Sequence, residues 1–132
     1  MEDWKIKISV LWLFSAVAFL AHQILALMEP GVIAGIMDGE VEGMKIEPEL
    51  ILLFAILFLV PLIMAFLSLT LKDSINRWAN IIVGAVYAFL GFSEIIDQAV
   101  EPWAYRILMP LLRVVFSALI VWYAWKWPKQ KG

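Results

Sequence analysis

The sequence predicts an all-α fold: a four-helix transmembrane bundle with both termini in the cytoplasm. Three observations carry this expectation. The 132 residues are 64% hydrophobic with a mean hydropathy of +0.89, well above the roughly 45–50% apolar share of soluble domains. Those residues gather in four runs of about 20 or more, each able as helix to cross a hydrocarbon core of about 30 Å. The basic residues are also segregated. Lys5, Lys7, Lys72, Arg77, Lys126, Lys129 and Lys131 fall on one side. The long connection on the other side carries Lys45 against Glu29, Asp38, Glu40, Glu42, Glu47 and Glu49. Excess Lys and Arg mark the cytoplasmic side, and the length is that of a single domain spanning 1–132.

Span one is expected over about 4–28, stopped by Pro30-Gly31. It is too long for a signal-peptide core and lacks a small-residue cleavage site, so it is read as retained. Span two covers 49–71, opened by Pro48 and bent at Pro61. Span three covers 75–100 with Ser74 or Asp73 as N-cap. Span four follows Pro102 over 103–127, with a second kink at Pro110. Trp4, Trp78, Trp125 and Trp127 would form an inner aromatic belt and Trp103 an outer one. In the outer connection, residues 30–48, Gly31, Gly35, Gly39 and Gly43 recur every fourth position between apolar residues. That pattern suits a flexible acidic loop, a half-apolar lid on the outer mouth, or small-residue packing.

Five charged residues lie in or beside these runs: Glu94, Asp97, Glu101, Arg106 and Arg113. Each costs about 2.5–3.5 kcal/mol at the centre of a bilayer on insertion scales, so they must face one another, a cavity or water. Helical spacing groups them. Ser15, His22 and Glu29 stand seven apart on span one. Asn80, Gly84, Tyr87, Gly91, Glu94, Gln98 and Glu101 share a stripe on span three, with Asp97 beside it. Arg106, Arg113 and Ser117 share a face of span four, while span two has no interior charge and would be an apolar wall. At about 1.5 Å per residue, Arg106 can reach Asp97 or Glu101, and Arg113 can reach Glu94 at the level of His22. The expected site is therefore in the outer half, over a nearly dry inner half. Its candidates are His22, Gln23, Tyr87, Glu94, Asp97, Gln98, Arg106 and Arg113.

Duller readings stand beside these. The Arg–acid pairs would lock spans three and four together. His22 would be a hydrogen-bonded packing residue. Glu29 and Glu101 would be solvated near the surface, and Gly84 and Gly91 would let helices approach closely. The absence of cysteine excludes disulfides, thiol redox chemistry and cysteine metal sites. Basic residues occur only as short membrane-flanking clusters, which argues against nucleic acid and suits anionic lipid headgroups.

The segments Leu11 to Phe14 (LWLF), Leu25 to Gly31 (LALMEPG), Leu62 to Leu69 (LIMAFLSL) and especially Asn76 to Gly84 (NRWANIIVG) carry a family resemblance. They resemble a group of small four-span prokaryotic membrane proteins known only as a domain of unknown function. The resemblance covers roughly the first three spans and implies a four-helix membrane bundle without an assigned activity. At Gln23 and Leu59 this chain departs from the pattern, where the resemblance implies an acid.

Three functions follow from the residues. One is a pocket in the outer half for a small or lipid-like molecule, with acid–base chemistry by His22, Glu94 and Asp97 and an anion held by Arg113. Another is a proton-coupled transporter or channel acting as a homo-oligomer. The third is an accessory subunit whose buried ion pairs set helix register. Whether the chain is an enzyme stays open. No cofactor is implied. A metal site is expected only in the minor alternative of His22, Glu94 and Asp97.

Overall fold

The computed structural model describes residues 3–41, 43–98 and 104–126. Its elements run α1 (Asp3–Leu27), α2 (Val32–Met37), β1 (Glu40–Val41), β2 (Met44–Lys45), α3 (Pro48–Thr70), α4 (Asp73–Gln98) and α5 (Tyr105–Trp125). Helices α1, α3, α4 and α5 are each long and apolar enough to cross a membrane, and their bounds lie within a few residues of expectation. The expected end of span three beyond Gln98 and start of span four lie outside the described residues, with Glu101 and Trp103; so does Trp127 of the inner belt.

Order round the bundle follows from the packing. Helix α1 lies against both α3 and α5, α4 lies along α5, and α3 scarcely touches α4. The N-termini of α1 and α4 meet at one end, where Lys5 Nζ stands 3.2 Å from Asp73 Oδ1. Arg77 Nε donates to the Ala124 carbonyl there at 3.1 Å, so the end of α5 joins them. We call this the turn end, and the opposite one the lid end. Asp73 is thus a first-turn acid of α4, tied to Lys5, rather than a free N-cap.

Large apolar side chains point outward, among them Phe66 and Phe89, which are 65% and 69% exposed. A soluble protein would bury them; in lipid they lose nothing, so helix contacts rest on small residues instead. A Cβ placed on Gly91 would sit 2.7 Å from Val114 Cγ2 and 3.4 Å from the Pro110 carbonyl oxygen. Gly84 meets Val121 and Ile120 in the same way. Gly91→Ala should therefore lower stability by about 1–3 kcal/mol, measured by unfolding in mixed micelles. An unchanged unfolding midpoint would show that this contact yields freely.

The connection at the lid end, described except for residue 42, carries regular structure. Gly31 (φ 89°) turns the chain from α1 into α2, and Gly39 (φ 85°) and Gly43 (φ 76°) shape a small antiparallel hairpin pairing Glu40 with Lys45 and Val41 with Met44. These three glycines serve turns, since only glycine adopts positive φ without strain. They do not form the small-residue packing face that their spacing allowed.

The turn end is closed to water but holds more polar side chains than the spacing singled out, all of them buried. Asn80 Oδ1 accepts from Trp12 Nε1 at 2.6 Å and from Ser68 Oγ at 3.2 Å, linking α4 to α1 and α3. Asn80 Nδ2 donates to Asn76 Oδ1 at 2.6 Å, and Asn76 Nδ2 donates to the Ser68 carbonyl at 2.8 Å. Ser9 Oγ donates to the Ala65 carbonyl at 2.8 Å. Asn76 thereby caps the C-terminus of α3 while Arg77 caps that of α5, each satisfying carbonyls that a helix end leaves free. The segment Asn76 to Asn80 is a staple for all four long helices. The apolar core packs around it, with Ile8, Leu11, Trp12, Met64, Ala65, Ile120 and Ala124.

Candidate functional site

Above that plug the bundle opens. A cavity of about 830 Å³ lies between α1, α3, α4, α5 and the lid segment. One wall is apolar: Leu53, Phe54, Leu57 and Pro61 of α3. Pro61 has no amide hydrogen, which leaves the Leu57 carbonyl without its helical partner. Tyr87 of α4 donates its hydroxyl to that carbonyl at 3.0 Å, and its ring meets Trp12 edge-on at 5.7 Å. A proline in one helix thus fixes a tyrosine in another.

The opposite wall is polar and has two tiers. In the lower tier Arg113 of α5 donates to Glu94 Oε2 of α4 at 2.5 Å. His22 of α1 places Nδ1 3.5 Å from Glu94 Oε1 and 3.4 Å from the Arg113 guanidinium. The same guanidinium lies 5.3 Å from the Phe19 ring centroid. His22, Glu94 and Arg113 therefore converge as the spacing predicted, from three helices.

The upper tier differs from expectation. Arg106 does not turn to Asp97; its Nε and terminal nitrogen donate to the two Glu29 oxygens at 2.9 and 2.6 Å. Tyr105 donates its hydroxyl to Glu29 as well. Glu29 is buried, not solvated. Counting depth along each span cannot reveal this, because the pairing depends on α1 lying against α5 and on the chain folding back at Gly31. Glu101, the other partner expected for Arg106, lies outside the described residues.

Gln23 and Asp97 line the cavity and are exposed. Gln98 closes α4, but its side chain lies outside the described set. Lid residues Val32, Gly35, Glu40 and Val41 also line the cavity, as do Phe19 and Ser93; sequence reasoning did not single them out. Only the half-apolar lid reading of 30–48 hinted at the first four. No group of three His, Asp or Glu side chains is arranged to hold a metal among the described residues. His22, Glu94 and Asp97 are not brought together as such a group, and Arg113 holds one of the Glu94 oxygens.

Glu29 lies just beyond the end of α1. The hydrogen bonds from Arg106 hold its carboxyl below the usual value of 4.5, against the upward push of burial, and Tyr105 reinforces them. A depressed folded pKa adds stability above the unfolded value and loses it as pH falls through the folded one. Stability should be level near neutrality and decline as pH drops below about 4.5. Glu29→Gln should flatten that acid limb in a pH series of thermal unfolding; an unaltered limb would assign it to other acids.

No curated protein and no solved structure matches the chain. A family model matches residues 1–131, further than the three spans on which the resemblance rested. The chain belongs to DUF6326, a family of unknown function.

Proposed function

We propose that this is a multi-pass protein of the cell membrane, its lid end facing outward, that binds a small or lipid-like molecule in the lid-end cavity. The observation supporting this reading is the cavity itself. Its volume, about 830 Å³, falls within the range of roughly 300–1,000 Å³ typical of ligand sites. It opposes an apolar wall to a few convergent polar groups, as such sites do. The orientation follows from the clustering of Lys5, Lys7, Lys72, Arg77 and Lys126 at the turn end.

Passage through a single chain is the weaker reading. Ser15 and Ser117 end the cavity lining towards the turn end, and the fully buried Trp12, Asn76, Asn80 and Ser68 fill the section beyond. An oligomeric, proton-coupled carrier would need a path between chains.

Native mass spectrometry of the protein released from mild detergent should find a retained small molecule. Phe54→Trp, which fills the apolar wall, should remove it. A protein that carries no adduct in either form, even after incubation with a membrane lipid extract, would overturn the reading.

A further inference from the structure

The cavity wall carries an excess of negative charge. Among the described lining residues are the acids Glu29, Glu40, Glu94 and Asp97, against Arg106 and Arg113. Four acids against two arginines leave two negative charges, or one if His22 is protonated. The arginines are committed within the protein: Arg106 to Glu29 and Arg113 to Glu94. Glu40 and Asp97, both exposed at the lid end, have no ion-pair partner among the described residues. An anionic ligand would have to displace an internal carboxylate from its arginine, and would meet two further acids.

Two other observations bear on what such a cavity could hold. Ser15 is 3% exposed and lines the cavity, yet its Oγ has no hydrogen-bond partner. Arg113 Nε is buried and unpartnered on the same lining. Buried polar atoms left unmatched each cost about 1–3 kcal/mol, and both side chains that carry them belong to residues lining this cavity. The seam beside it is also thin, because α3 scarcely meets α4. Leu53 and Leu90, on the two sides of that seam, line the cavity and are 50% and 41% exposed. An apolar tail can lie there beside the acyl chains while a charged head stays with the acids.

We propose that the ligand is an amphiphilic organic cation, with its ammonium group held by Glu40 and Asp97 and its apolar body against Leu53, Phe54 and Leu57. This rests on the cavity being a binding site. Opposite charges near a protein surface attract by several times their value in bulk water.

The test uses the full chain in phosphatidylcholine nanodiscs, titrated by calorimetry with lauroylcholine or with the anionic lauroylglycine, and with empty nanodiscs as blank. Saturable binding is expected for lauroylcholine, tighter than for lauroylglycine by at least about tenfold. That ratio should collapse towards one in the double variant Glu40→Gln/Asp97→Asn. Saturable binding with the anion equal or tighter, or a ratio untouched by the double variant, would overturn the cationic assignment and leave the cavity as a binding site. No saturable binding of either probe would overturn both.

Discussion

Replacing Glu94 by alanine should lower stability by about 3 kcal/mol, the largest effect expected of a single site here. Its partner Arg113 has a side chain only 13% exposed and cannot shed its charge. Without Glu94 the guanidinium keeps only the contact to His22 at 3.4 Å and the face of Phe19. The reverse change, Arg113→Met, should cost less, roughly half as much, because Glu94 is 32% exposed and can be hydrated or take a proton. Combining Glu94→Leu with Arg113→Met should restore stability to within about 1 kcal/mol, since replacing a buried pair by apolar residues removes both desolvation costs. Steric-trap or mixed-micelle unfolding of wild type, Glu94→Leu, Arg113→Met and the Glu94→Leu/Arg113→Met double variant makes a double-mutant cycle. Additive single changes would mean that the two side chains do not depend on each other.

Asn80→Leu is the second large effect, about 1–3 kcal/mol. Two bonds between helices disappear, from Trp12 and Ser68, and interhelical hydrogen bonds in membranes average about 0.6 kcal/mol with a maximum near 1.7. Asn76 Oδ1 also loses its donor, and the indole of the fully buried Trp12 is stranded. Tryptophan emission offers a second readout, because Trp12 would lose a polar neighbour. Asn80→Asp keeps the acceptor for Trp12 but buries a carboxyl with no cation beside it, and should cost at least as much as Asn80→Leu. Wild-type stability in Asn80→Leu would show that the staple is dispensable.

The convergence of His22, Glu94 and Arg113 followed from intervals of three, four and seven and from depth alone. Gly84 and Gly91 were equally legible, since glycine on the inward stripe of a membrane helix has few other uses. Glu29 was misplaced because sequence distance from a span end says nothing about whether the next segment folds over it. Asn76 was read as part of a resemblance rather than as a cap, because capping another helix is a relation between segments far apart in space. The Tyr87–Pro61 link shows the same gap: the missing amide is visible in the sequence, but the donor that answers it sits 26 residues away.

Hydropathy and helical period by themselves determined four apolar helices, their approximate limits and the rule that interior charges must meet. Both are local properties, set by the length of apolar runs and by 3.6 residues per turn. Which charges meet, where the bundle is plugged and where it is hollow were decided only by the tertiary structure. Helix neighbours in lipid are chosen by close packing and by a few polar bonds rather than by burial of apolar surface. That choice, α1 on α3 and α5 with α3 held off α4, depends on all the helices at once.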